Sequence, residues 1–175
     1  NNVEYFKRIF GNDVEITEKN IQNVLATTEN KNLIFSVESL LSDGNQNYFV
    51  ISLETKNNEK IGKLLPTTIK LHSDKLQGLS LASLTEIENS NTSARKTYYL
   101  YKLNTNSNLI GENVKMSFSR NADENMTVSF RIEDNNNLKE LKTEDFQILD
   151  DKYVVTEIKY SNLGIKYCIR KRNYN

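Results

Sequence analysis

Three side chains of the types used in hydrolytic triads, His72, Asp74 and Ser80, lie close together in the chain. Ser80 belongs to Gly78–Ala82, which matches the Gly-x-Ser-x-Gly motif except at its last position. In enzymes with that motif the serine occupies a strand-to-helix turn, and the acid and the histidine follow it. Here the one histidine precedes the serine, and no alternation of strands with helices surrounds it. We therefore interpret Gly78–Ala82 as a Leu-rich core segment with small outward residues, and we predict no catalytic residues and no enzymatic activity.

Oxygen-bearing side chains that could bind a metal also occur. Asp43, Asn45 and Asn47 have the spacing of the first ligands of a calcium loop, and Glu54 stands at the twelfth position. That loop requires glycine at its sixth position, where this chain has Tyr48, so a β-turn is the better interpretation. Three acidic pairs could bind a hard cation weakly, although solvated loop charge is the simpler explanation. The pairs are Asp123 with Glu124, Glu144 with Asp145, and Asp150 with Asp151. We predict no metal site and no cofactor.

The single cysteine, Cys168, lies in a segment with strand character and has no histidine near it in the sequence. A reactive thiol needs surroundings that lower its pKa, so we interpret Cys168 as a packing residue. With one cysteine, no disulfide can form within the chain.

Tyrosines provide the candidate binding surface. Tyr98, Tyr99 and Tyr101 are clustered in one predicted strand, where they could stack against a sugar or a peptide. Tyrosine is also a good strand former, which would explain the cluster without a ligand. Three later tyrosines could extend this surface: Tyr153, Tyr160 and Tyr167.

The charge balance bears on the choice of partner. Lys and Arg total 23, as do Asp and Glu, so the formal net charge is zero. A protein that binds a phosphate backbone normally carries a basic surplus, so nucleic acid is disfavoured. The densest basic run is interpreted as a solvated tail. It comprises Lys166, Arg170, Lys171 and Arg172.

The elements that position these residues are mostly strands. Apolar and polar residues alternate in 114–119 and 126–133, which places every second side chain on one face of a strand. Hairpins are predicted around Asp43–Asn45 and Asn162–Gly164, with further strands near Thr67–His72 and Thr97–Leu103. The sequence therefore predicts an all-β fold, an immunoglobulin-like antiparallel β-sandwich of roughly eight to ten strands with a short N-terminal helix.

We expect one domain over residues 1–175, with residues 1–11 as a helical lead-in. Val3, Phe6 and Phe10 share one face of that helix, and Gly11 can end it. Residues 138–175 are too few to form a core with confidence. They are either extra strands of the same sandwich or a small appended lobe.

A family resemblance is carried by Leu33–Asn45, which reads LIFSVESLLSDGN, and by Tyr48–Glu54, which reads YFVISLE. Together they resemble the opening hairpin of an uncharacterised domain family from low-GC Gram-positive bacteria. In that family one transmembrane helix precedes an extracytoplasmic β-sandwich, in a layout similar to that of anti-sigma factors. The resemblance implies an extracytoplasmic location and a membrane anchor outside these residues. It implies no catalytic residues.

These observations favour a non-enzymatic sensor or interaction domain of a single-pass bacterial membrane protein, with a protein or cell-envelope ligand as partner. The alternative is a cell-surface adhesin or carbohydrate-binding module that uses a Tyr-lined sheet face. We expect a monomer, because Lys166, Arg170 and Lys171 fall on the last predicted strand. Charges of this kind commonly prevent an edge strand from pairing with another chain.

Overall fold

The computed structural model describes residues 2–10, 16–57, 68–88, 91–120, 125–135, 137–141, 146–148 and 153–171. Within these ranges lie one α-helix, α1 (Asn2–Phe10), a 3₁₀ turn (Glu18–Asn20) and twelve strands. The strands are β1 (Ile21–Glu29), β2 (Leu33–Ser42), β3 (Gln46–Thr55), β4 (Thr68–His72), β5 (Ser80–Ile87), β6 (Lys96–Thr105), β7 (Asn113–Ser119), β8 (Asn125–Arg131), β9 (Leu138–Leu141), β10 (Phe146–Ile148), β11 (Tyr153–Ser161) and β12 (Gly164–Lys171).

The strands form three antiparallel sheets. The large sheet has the order β1-β2-β3-β6-β5, and the three-stranded sheet has the order β4-β7-β8. The C-terminal sheet has the order β10-β11-β12, with β9 also paired to β11. The predicted all-β sandwich with a short N-terminal helix is confirmed. Twelve described strands exceed the eight to ten expected, because β1 contains a register shift, β5 is largely exposed on both faces, and β9 and β10 have only four and three residues.

The main core lies between the large sheet and the three-stranded sheet. Phe35 of β2 stacks on Phe118 of β7 with ring centroids 5.6 Å apart, and Phe49 of β3 meets Phe130 of β8 edge-on at 6.0 Å. Burial alternates along β7 and the first part of β8, as their sequence pattern predicts. We call the side of the large sheet that faces this core its inner face.

The opposite side, the outer face of the large sheet, is covered over β2 and β3. Phe6 of α1 is fully buried there, and the ring of Phe10 lies edge-on to Tyr48 with centroids 4.7 Å apart. Leu163, in the turn between β11 and β12, joins the same apolar cluster. The predicted apolar face of the helix is confirmed, whereas Gly11 lies outside the described residues. Because both faces are covered, β2 and β3 are buried on both sides.

Hydrogen bonds fasten the C-terminal sheet to the large sheet. The Asn137 amide donates to the carbonyl oxygens of Asn20 and Ser42, at 2.9 Å each. Ser161 Oγ donates to Asp43 Oδ2 at 2.5 Å. Since Asp43 lies in the turn between β2 and β3, these bonds hold the β11–β12 hairpin beside that turn.

Candidate functional site

The prediction of a tyrosine binding surface is wrong, because its three tyrosines are buried. Tyr98, Tyr99 and Tyr101 of β6 expose only 5%, 8% and 4% of their surface. β6 lies between β3 and β5, so Tyr99 and Tyr101 pack into the main core while Tyr98 packs towards α1. Burial raises the pKa of the Tyr99 and Tyr101 phenols, as expected for groups withdrawn from water.

The histidine and the serine considered for a hydrolytic triad lie in different sheets, and Asp74 lies in a turn after β4. His72 is in β4 of the three-stranded sheet, and Ser80 opens β5 of the large sheet. His72 Nε2 lies 2.9 Å from Ser117 Oγ on the neighbouring strand. The Ser117 hydroxyl is also 3.3 Å from the carbonyl oxygen of Lys70, which gives its hydrogen another acceptor. This exposed pair is a cross-strand contact on an open sheet face.

The Asp43–Asn47 segment is a hairpin turn, as the sequence favoured. Asp43 Oδ1 accepts hydrogen bonds from the backbone N–H groups of Asn45 and Gln46, at 3.0 and 2.7 Å. Gly44 has a φ of +90°, a conformation that favours glycine. The three acidic pairs between Asp123 and Asp151 lie outside the described residues. Within the described ranges, no group of three or more His, Cys, Asp or Glu residues could hold a metal ion.

An open groove of about 480 Å³ lies between the start of β5 and the β11–β12 hairpin. One wall carries Leu79 and Leu81, which expose 82% and 75% of their surface. The other wall carries Ile165 and Tyr167, at 70% and 61%, together with the partly exposed Tyr160. A concentration of exposed apolar side chains on both walls is unusual for a free surface, since most exposed apolar residues occur singly.

Amide side chains line the floor of the groove. Asn104 of β6 stands in register between Leu81 of β5 and Gln46 of β3. Asn104 Oδ1 is buried and has no hydrogen-bond partner among the described residues. Gly164 brings the hairpin close to this floor, because a Cβ at that position would lie 2.9 Å from Gln46 Nε2. The groove therefore combines apolar walls with a polar base.

A lysine borders the groove on the outer face. Lys102 neighbours Asn104 on the same face of β6 and is in register with Ser83 of β5. Its Nζ lies 5.2 Å from the ring centroid of Tyr48. No salt bridge involves Lys102 in the described part of the chain. This margin of the groove thus carries a positive charge without a carboxylate partner.

The sequence pointed to only part of this groove. The interpretation of Gly78–Ala82 as a core segment is wrong, because Leu79 and Leu81 are the most exposed leucines described. Their position at a sheet edge, where no described element covers them, is a tertiary feature that the pattern does not encode. Tyr160 and Tyr167 were considered as extensions of the tyrosine surface, and these two do line the groove. Cys168 lies in β12, where its backbone pairs with Glu157.

Comparisons of the chain with protein-family models, with curated proteins and with solved structures found no match. Among the helices that the structure describes, none has the length and apolar character needed to cross a membrane.

Proposed function

We propose that this chain is a non-enzymatic interaction domain that binds an extended segment of another protein in the groove. The observation that carries this proposal is the set of exposed apolar side chains facing one another across the groove. Leu79 and Leu81 oppose Ile165 and Tyr167, and each exposes more than half of its surface. A partner that covers them removes apolar area from water, which is the main favourable term in protein association.

The mixed lining fits a peptide better than a wholly apolar ligand. Apolar walls can hold apolar side chains of a peptide, while an amide N–H group on the floor, such as that of Asn104, can donate to one of its polar side chains. A segment from a partner protein supplies both kinds of group along its length.

The proposed setting of this domain is the extracytoplasmic face of a bacterial membrane, within a single-pass protein that acts in envelope signalling. The resemblance of Leu33–Glu54 to the hairpin of anti-sigma-factor-like proteins supports this setting. Protease added to intact cells of the source organism should cleave the natural protein within this domain. Cleavage that occurs only after the cells are lysed would contradict the extracytoplasmic location.

Peptide selection tests the binding function. Nine-residue peptides selected from a random phage-displayed library on the whole chain should bind the groove. Leu81→Asp and Ile165→Asp should each weaken binding at least about tenfold, because a charge would replace an apolar contact. Leu25→Asp is the matched control, since Leu25 on β1 is 70% exposed and lies outside the groove lining. Selected peptides that bind the Leu81→Asp variant as tightly as the parent would refute the proposal.

A carbohydrate is the second candidate ligand, because two exposed tyrosines, Tyr160 and Tyr167, stand beside amide side chains in the groove. Aromatic faces pack against sugar rings, and amides hydrogen-bond to hydroxyl groups. A glycan array should then give a ligand whose binding is lost in Tyr167→Ala and retained in Leu25→Asp. An array without a Tyr167-dependent ligand would exclude this candidate.

A further inference from the structure

No strand among the described residues pairs with the outer edge of β5. Among the described residues β5 pairs only with β6, in eight consecutive register pairs from Ser80 to Ile87 without a bulge. Most of its residues are exposed, which shows that little covers either face of this strand. The strand carries a single charge, Glu86, and contains neither Lys nor Pro nor Gly. Natural proteins rarely leave a long, regular edge in this condition, because it invites pairing with another chain.

The opposite edge of the large sheet shows the usual protection. β1 has a register shift between Asn23 and Ala26, where Leu25 adopts a φ of +51°. Gln22 at its start bonds across to the other sheet, donating to the carbonyl oxygen of Arg131 at 2.7 Å and accepting from the N–H of Glu133 at 3.0 Å. A bulge and a covering contact therefore block strand addition at β1.

Two other edge strands in the described part of the chain carry basic residues. β4 includes Lys70 and His72 within five residues, and β12 includes Lys166, Arg170 and Lys171. Lysine and arginine on an edge strand disfavour pairing with another strand. In contrast to β1, β4 and β12, β5 has no bulge, no covering contact from a described residue and no basic residue.

We infer that the partner segment joins the large sheet as a sixth strand along β5. This inference rests on the proposed function and specifies how the segment is held. Main-chain hydrogen bonds to this edge supply affinity, and alternate side chains supply specificity. Leu81 and Ser83 lie on the outer face that continues into the groove. Every second side chain of the added strand therefore points towards the groove, and the others point towards the inner face beside Leu84.

Charge complementarity specifies the chemistry of the segment. Lys102 is one strand away from Ser83, so a residue of the added strand opposite Ser83 lies two strand spacings from Lys102. Two spacings are about 10 Å, a distance that a glutamate and a lysine side chain can bridge. The partner segment thus alternates apolar residues with a carboxylate on the side that faces the groove.

N-methylated peptides provide the test. The probe is a nine-residue peptide selected on the whole chain from the random library and shown to depend on Leu81. Two versions are made, one N-methylated at its odd positions and the other at its even positions. An added strand bonds to β5 through the N–H groups of alternate residues only. We expect one version to lose at least about tenfold in affinity and the other to bind within about threefold of the parent.

The outcomes separate this inference from the proposed function. Equal binding of both methylated peptides would overturn strand addition while leaving the groove as the binding site. A selection that yields no Leu81-dependent peptide would overturn the proposed function and this inference with it. A dimer of the free domain at micromolar concentration that is abolished by Ser83→Lys would assign the edge to a second copy, and would overturn the inference.

Substitution of Lys102 provides a second test, of the predicted contact with a carboxylate of the partner segment. Lys102→Gln should weaken an acidic selected peptide about threefold and remove part of the salt dependence of its binding. Lys31→Gln, a change at an exposed position between β1 and β2, is the matched control and should leave binding unchanged. Equal effects of the two substitutions would contradict the carboxylate contact.

Discussion

Replacing Ser161 by alanine tests how the C-terminal hairpin is held against the large sheet. Ser161 Oγ donates to Asp43 Oδ2 at 2.5 Å and accepts from the backbone N–H of Leu163 at 3.0 Å. Asp43 is buried, and Leu163 belongs to the cluster beneath α1. Ser161→Ala therefore removes the hydroxyl donor to a buried carboxylate oxygen and the acceptor of a turn amide at once.

The expected loss follows from these two bonds. A hydrogen bond to a charged acceptor contributes about 1.5–3 kcal/mol net, and a neutral one contributes about 1 kcal/mol. We expect Ser161→Ala to lower the free energy of unfolding by about 3 kcal/mol. Folded domains typically have a free energy of unfolding of about 5–15 kcal/mol, so the expected loss is about a third of a mid-range value.

Urea unfolding of the whole chain measures this loss. Ser117→Ala is the matched control, because Ser117 Oγ also has two partners but lies on an exposed face, where water replaces them. The control should change the free energy of unfolding by about 0.5 kcal/mol or less. A double-mutant cycle with Asp43→Ala should give a coupling of about 2 kcal/mol. A Ser161→Ala variant as stable as the Ser117→Ala variant would refute the reasoning.

Three further substitutions test the turn at Gly44, the packing of α1 and the burial of Tyr5. Gly44→Ala should cost at least about 2 kcal/mol more than Gly78→Ala in urea unfolding, because both glycines have positive φ but only a Cβ at Gly44 would overlap a neighbouring side chain. Phe6→Ala should cost about 3–5 kcal/mol, against about 1 kcal/mol or less for Ile9→Ala, because Phe6 is fully buried and Ile9 is 38% exposed. Burial raises the pKa of Tyr5 from 10.0 to about 12, so its contribution to stability is present below pH 10 and is lost as the pH rises through about 12. Urea unfolding at several alkaline pH values should show a smaller decline for Tyr5→Phe than for the parent, and equal declines would contradict this assignment.

Local sequence patterns predicted the regular part of the fold. The hairpin of β2 and β3, the alternating strands β7 and β8, and the hairpin of β11 and β12 all appear where alternation and turn residues placed them. The pattern suffices for β7 and β8 because each of these strands buries alternate residues against one core, whereas β2 and β3 are buried on both sides and were predicted with the help of the turn residues between them. It failed for β1, where a bulge at Leu25 shifts the period, and for β5, where exposure of both faces removes the pattern.

The candidate site depended on information that no single segment contains. The sequence predicted a surface cluster of Tyr98, Tyr99 and Tyr101. In the structure, α1 and the three-stranded sheet cover the two faces of their strand. Leu79 and Leu81 read as core residues, but they stand at a sheet edge beside the C-terminal hairpin. Which apolar residues are covered is decided by the packing of distant elements, so it emerges only in the folded chain.

The central claim is that the groove between β5 and the β11–β12 hairpin binds an extended segment of a partner. The most direct measurement is an NMR titration of the isotope-labelled whole chain with a library-selected peptide. We expect the largest amide shifts at Leu79–Ser83 and at Tyr160–Tyr167, with none at Ile21–Glu29 on the opposite edge. Shifts confined to residues outside the groove, with none at Leu81 or Ile165, would contradict the account.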